Sequence, residues 1–408
     1  MTTAIEGKPE APVLFSTEPT DCGHLIGIMT LNTPKSLNAL SVEMCQLLAQ
    51  QLEQWQNDDR IVALLLKGAG DKAFCAGGDI RKLYDSMSSD APLPNPYATE
   101  FFGHEYRLYR KMHFYSKPLI LWGDGIIMGG GMGLMAGCSH RLVTERTRFA
   151  MPEINIGLFP DASGSWFLRR MPPKQVCFGL TGAMCNGSDA LLANLAEYAV
   201  ASSDYDGVIQ SLKQSDWQVA ASSMDKCDNN SAHSIVSRVL AAQPIVELPA
   251  SKLAIHWQSI QQLMNSGGLG DIDALLQSDA ALEKIDIEFA NDSWTQRAVD
   301  TYRHGCPVTA ALTYALYYKV TDLSLEQVLY LEANVAVHCV ANPDFKEGVR
   351  ALLIDKDRNP QWSRSLADCL SSEGQAYIQQ HFVNPYAKDE HPLGDWLGDE
   401  ALGSQSVR

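Results

Sequence analysis

Residues 125–161, GIIMGGGMGLMAGCSHRLVTERTRFAMPEINIGLFPD, constrain this chain more than any other stretch. Three consecutive glycines, Gly129–Gly131, leave the backbone uncovered, so their N–H groups can approach a ligand closely. The run that follows, MGLMAGC, is small and apolar enough to continue as a buried helix. A glycine turn feeding a helix N-terminus aims free N–H groups and a partial positive charge outward. That combination stabilises an oxyanion; tight helix–strand packing is the other use of such glycines. Two isolated carboxylates, Glu153 and Asp161, follow in otherwise apolar surroundings.

A second glycine turn lies upstream. Residues 61–67 (IVALLLK) read as a buried strand, followed by GAGD and then KAFCAGGDI at 72–80. A small-residue turn again separates a strand from an expected helix, and it offers a backbone N–H near Gly78. The two turns can meet on one carbonyl oxygen only if their strands are neighbours. Neither turn has the spacing of a phosphate-cradling loop or a dinucleotide fingerprint.

AFCAGGDI, then GIIMGGGMGL, then FAMPEINIGLFPD together resemble the crotonase (enoyl-CoA hydratase/isomerase) superfamily. Within it the chain is most similar to the 3-hydroxyisobutyryl-CoA hydrolases. TLNTPKSLNALS (30–41), FPDASGSWFLRRMP (159–172) and DFKEGVRALLIDKDRNPQW (344–362) extend the likeness along the chain, while 202–300 matches only loosely. The resemblance implies a spiral of repeated ββα units and an oxyanion hole made by the N–H groups of Gly78 and Gly130. It places substrate-contacting acids at Glu105, Glu153 and Asp161. Hydratases of the superfamily carry a second glutamate three residues beyond the oxyanion glycine, where this chain has Gly133. The paired-glutamate arrangement for hydration is therefore absent. Relatives often carry more glycine where Ala162-Ser163-Gly164-Ser165 follows Asp161.

The implied reaction is thioester hydrolysis of a short 3-hydroxyacyl-CoA, 3-hydroxyisobutyryl-CoA from valine breakdown first. Coenzyme A enters as part of the substrate and no separate cofactor is expected. Glu153 would be nucleophile or general base, and Asp161 would position the substrate hydroxyl or water. Another crotonase-type reaction (isomerisation or hydration) and a non-catalytic CoA-binding module are the alternatives. Any Cβ at Gly130 is expected to crowd the place of the thioester oxygen. Trimers and their dimers are common in the superfamily, so a homo-oligomer is the implied assembly.

Composition narrows the partners. A net charge of −16 excludes a nucleic-acid surface, which needs concentrated Lys and Arg. Local cations such as Lys35, Lys72 or Arg81 suffice for CoA phosphates. No apolar run is long enough to span a bilayer. The ten cysteines contain no C-x-x-C pair and the ten histidines no H-x-x-x-H pair, so no metal site is expected. Ser163, in D-A-S-G-S, lacks the first glycine of a nucleophile elbow. MTTAIEGKPEAPVLF carries neither a signal nor a transit pattern, and SQSVR is not a peroxisomal address, so cytoplasm is the expected compartment.

The pattern along the chain predicts strands at 24–31, 61–67 and 118–122, the last running to the triple glycine. Helices are predicted at 42–57, capped by Ser41, and at 101–114, carrying Glu105, with a loop at 86–97. Strand–helix alternation makes this an α/β protein. Residues 1–205 read as a crotonase-like catalytic core and 206–249 as a variable connecting segment, its 214–232 stretch polar. Residues 250–408 read as a helical C-terminal region, with helices at 250–265, 272–291 and 324–341. No internal repeat is visible.

Overall fold

The computed structural model describes residues 11–88, 92–171, 176–218 and 231–396. Most of the polar 214–232 stretch lies outside them. Among the described residues ten strands form two sheets. In chain order they are β1 (Val13–Pro19), β2 (Leu25–Leu31), β3 (Ile61–Gly68), β4 (Ala73–Cys75) and β5 (Leu119–Gly123). Then come β6 (Ile126–Met128), β7 (His140–Val143), β8 (Arg148–Ala150), β9 (Cys185–Asn186) and β10 (Tyr198–Ala199). The larger sheet runs β1-β2-β3-β5-β7-β10 and the smaller β4-β6-β8-β9. Among the described strand pairs only β1–β2 and β8–β9 are antiparallel.

The order contains a repeat that the sequence hides. β3–β4, β5–β6 and β7–β8 each place one strand in the large sheet and the next in the small one, and helices follow. These are successive ββα turns of a spiral. The segment expected as one strand up to the triple glycine is therefore two strands in different sheets. Gly125 makes the break: its φ is +76°, and a Cβ there would lie 2.5 Å from the Lys72 carbonyl oxygen. Only glycine permits that backbone approach.

β3 reads as a continuous apolar run because both faces of the large sheet are covered. Leu64 and Leu66 face the main core, whereas Ala63 and Leu65 face a second cluster with Val208, Leu212 and Val236. Those last residues belong to the helices Tyr205–Lys213 and Ala232–Ala241.

Helix ends follow local chemistry. Ser41 accepts from the Met44 N–H at the start of Val42–Gln56. The helix carrying Glu105 starts earlier than expected, at Pro96, because Asn95 caps it and proline suits the first helical position. Long C-terminal helices expected at 250–265 and 272–291 are instead broken. Ser278 and Asp286 cap new starts within the second, taking N–H groups from Ala281 and from Glu288 and Phe289. Short polar side chains compete with helix continuation in this way. By contrast Leu325–Ala341 is unbroken, opens with a Ser324/Gln327 capping box and is buried along most of its length.

Candidate active site

The two glycine turns meet. β4 and β6 pair in parallel, Ala73 with Ile126 and Cys75 with Ile127, so both turns leave the same sheet edge. A Cβ placed on Gly77, at φ +111°, would lie 3.8 Å from the Gly130 nitrogen. The Leu40–Gly78 bridge uses the Gly77 carbonyl and the Asp79 N–H and leaves the Gly78 N–H unused. Gly130 is the first residue of the helix Gly130–Gly137, so its N–H has no intrahelical acceptor. Among the described residues neither N–H donates to a protein acceptor.

Glu105 and Glu153 lie against these turns, and Asp161 and Glu332 interact with them or with each other through their charges. The four carboxyl groups are only 2, 5, 5 and 0% exposed in the order Glu105, Glu153, Asp161, Glu332. Glu105 sits on the helix Pro96–His113. Its Oε1 lies 2.7 Å from the Tyr109 hydroxyl, which also lies 3.0 Å from the Gly130 carbonyl oxygen. Glu153 opens a short turn after β8. Its Oε2 is buried without a hydrogen-bond partner among the described residues, and a Cβ on Gly129 would lie 3.1 Å from its Oε1. Asp161 accepts from the Tyr106 hydroxyl at 2.7 Å. All three residues inferred from the resemblance, together with Gly78 and Gly130, thus fall in one neighbourhood.

Burial dominates the electrostatics. It pushes the Glu153 carboxyl well above the usual carboxylate range, and the Asp161 charge pushes it further. Burial does the same to Glu105, again reinforced by Asp161. Asp161 itself is pushed up only to about 6, because the Tyr106 hydroxyl and local backbone N–H groups favour its ionised form.

The Asp161 shift carries a stability consequence with a definite sign. A carboxyl that ionises near 6 in the native state and near 3.8 unfolded binds more protons in the native state between those values. Its contribution is therefore present at low pH and lost as pH rises through about 6. Asp161→Asn keeps an acceptor for Tyr106 and carries no charge. It is expected to melt above wild type at pH 7, the gap closing towards pH 4 in parallel calorimetric scans.

Gly133 is explained by packing. A Cβ there would lie 2.6–2.8 Å from Cζ, Cε1 and Cε2 of Tyr109, so no larger side chain fits. The Gly130 expectation needs correction: a Cβ at that position would meet Glu105 Oε1 at 2.6 Å and the Tyr109 hydroxyl at 2.9 Å. It strikes the Glu105–Tyr109 pair. Of the three cations, all are exposed. The Lys35 and Lys72 loops adjoin each other, since Asn38 donates to the carbonyls of Ala69 and Ala73.

Tyr106, Tyr109 and Glu332 were not among the residues singled out from sequence. The signal for the tyrosines was their spacing from Glu105 in HEYRLYR, one and four residues on, which puts Tyr109 on the same helix face. The signal for Glu332 was a lone acid amid YLEANVAV, inside a mostly apolar helix.

The profile of the enoyl-CoA hydratase/isomerase family matches residues 26–382. The chain belongs to that family, the crotonases, a family of acyl-CoA enzymes. It is 35% identical over 364 residues to the mitochondrial 3-hydroxyisobutyryl-CoA hydrolase of Xenopus tropicalis, covering 88% of this chain and 86% of that protein. The human protein of the same name is 32% identical, with 82% and 81% covered. Among solved structures, an enoyl-CoA hydratase from Rhodobacter sphaeroides superposes with a TM-score of 0.73 at 27% identity, covering 91% of this chain and 97% of that one. A carnitinyl-CoA dehydratase from Mycobacterium thermoresistibile gives 0.74 at 30%, covering 91% and 96%. This crotonase has no helix, among its described residues, long and apolar enough to cross a membrane.

Proposed function

We propose that this crotonase hydrolyses the thioester of a short 3-hydroxyacyl-CoA, with 3-hydroxyisobutyryl-CoA as the preferred substrate. The observation that carries the reading is the Tyr109 ring packed against Gly133. It fills the space that a side chain at the second hydratase position would need, while Glu153 keeps a buried carboxyl oxygen with no partner among the described residues beside the glycine turns. The names of the 3-hydroxyisobutyryl-CoA hydrolases that the chain resembles support the choice of substrate.

In this mechanism the Gly78 and Gly130 N–H groups receive the thioester oxygen and stabilise its developing charge. Glu153 either attacks the carbonyl carbon, giving a mixed anhydride that water then cleaves, or takes a proton from the attacking water. Either way the C–S bond breaks and CoA leaves as a thiolate that takes up a proton. Asp161, poised by Tyr106, binds the substrate hydroxyl or the water. Exposed cations such as Lys35, Lys72 or Arg81 are candidates for contacting the CoA phosphates, and a homo-oligomer is the assembly the family resemblance implies.

The test is a thiol-release assay across an acyl-CoA panel, paired with crotonyl-CoA hydration. The expected result is release from 3-hydroxyisobutyryl-CoA, weaker release from 3-hydroxypropionyl-CoA, and no hydration. Hydration without release would overturn the hydrolase reading in favour of the hydratase and dehydratase chemistry named for the superposed structures. Tight CoA binding with no turnover of any ester would favour a binding module. We retain cytoplasm as the proposed compartment; the curated relatives are named as mitochondrial proteins, and cell fractionation decides between the two.

A further inference from the structure

Asp161 is presented by a turn that the local sequence does not favour. Ala162 and Ser163, at φ +56° and +65°, are consecutive residues in the left-handed region, and neither is glycine. Each such residue costs conformational energy that other contacts must offset. The Ala162 N–H also favours the ionised Asp161 carboxyl, so the turn's shape sets how the acid is presented.

Glu332 supplies the offsetting contacts from far along the chain. It lies on Leu325–Ala341, fully buried. Its Oε2 accepts from the Ser163 N–H at 2.8 Å and its Oε1 from the Ser165 N–H at 2.9 Å. One carboxyl group thus holds the second strained residue, Ser163, with one oxygen and Ser165, two residues on, with the other. We propose that Glu332 is a positioning residue that holds the Ala162–Ser165 turn in its left-handed form and thereby fixes Asp161 for catalysis. The inference rests on the catalytic reading of Asp161. Burial and the Asp161 charge push the Glu332 carboxyl up to about 8, the cost of keeping this acid where an apolar residue would pack. Besides Asp161, the groups facing it are Glu105 and Tyr106 on the helix packed alongside.

At about pH 9, where the Glu332 carboxyl is ionised and accepts with both oxygens, Glu332→Gln has nearly the same shape but offers one acceptor and one donor to the two N–H groups, so one contact is lost. The expected result is a fall in kcat of about 10- to 100-fold, as for a displacement near 1 Å. KM stays within about threefold, since CoA binding is untouched. Hydrogen exchange at Ser163 and Ser165 accelerates locally, not globally. Adding Ser163→Gly, which adopts the left-handed form freely, raises kcat again in the Gln background. A purely structural role would lower the thermal midpoint, speed exchange throughout, and leave kcat per folded site and the glycine addition without effect. Either that pattern or wild-type kcat in Glu332→Gln overturns the proposal.

If Glu332→Gln does not fold, Glu332→Asp carries the test. Its shorter arm cannot reach both N–H groups, and wild-type kcat there overturns the proposal, as does failure of both variants to fold. If wild type itself turns over no acyl-CoA, the functional reading fails, and unchanged exchange at Ser163 and Ser165 would separately remove the role of Glu332 in holding the turn.

Discussion

Glu153→Gln is expected to fold, bind CoA and lose about 10²–10⁴-fold in thioester turnover, the usual contribution of a positioned acid or base. Among the described residues, Glu153 is the one acid at the glycine turns with a buried oxygen that has no hydrogen-bond partner. An amide has nearly the same shape but can neither attack a thioester nor accept a proton from water. The thermal midpoint is expected within about 4 °C of wild type, because a neutral amide and a desolvated carboxyl bear comparable costs in this site. Wild-type kcat/KM is also expected to rise with pH through a region above the ordinary carboxylate range. The active form is the ionised one, and burial raises the pH at which it forms. Turnover above about a tenth of wild type in the variant would remove Glu153 from the chemistry.

Gly130→Ala is expected to lower kcat/KM by about 10²-fold, through the Glu105–Tyr109 pair. The new Cβ meets both partners of that hydrogen bond, and Tyr109 cannot swing away because its ring lies against Gly133. Overpacking should also cost about 1–3 kcal/mol of stability. Thermal midpoint and kinetics on one preparation separate the two effects. Tyr109→Phe, which keeps the ring and loses only the hydroxyl, is expected to reproduce part of the kinetic defect without the overpacking. A destabilised but fully active Gly130→Ala enzyme would leave Gly130 as packing and free the oxyanion hole of it.

Both variants show how unevenly the site could be read in advance. The acids Glu153 and Asp161 stood out because each interrupts an apolar run, and burying a carboxyl is costly enough to be a signal; Glu105, among the charged residues of HEYRLYR, was placed only by the family resemblance. Their partners did not, because Tyr106 and Tyr109 are unremarkable in a helix until their hydroxyls are seen beside Asp161 and Glu105. Gly130 illustrates the reverse. Its lack of a side chain was legible, but the direction in which a side chain would point depends on what packs there.

By itself the sequence determined the elements whose cause is local. These are the strand at 61–68, the capped helices beginning at 42 and 325, and two glycine turns with unused N–H groups. Hydrophobic period, capping side chains and glycine's freedom act within a few residues, so they can be read along the chain. Tertiary structure decided what depends on distance. It set the strand pairing that joins the two turns, the ββα repeat that no sequence repeat announces, and the splitting of 118–128 between two sheets. It also brought Glu332 onto the turn after Asp161, across 169 residues of chain from Ser163. A hydrogen bond of that range leaves no periodic trace, because its partners are chosen by the packing of whole elements and not by their neighbours in sequence.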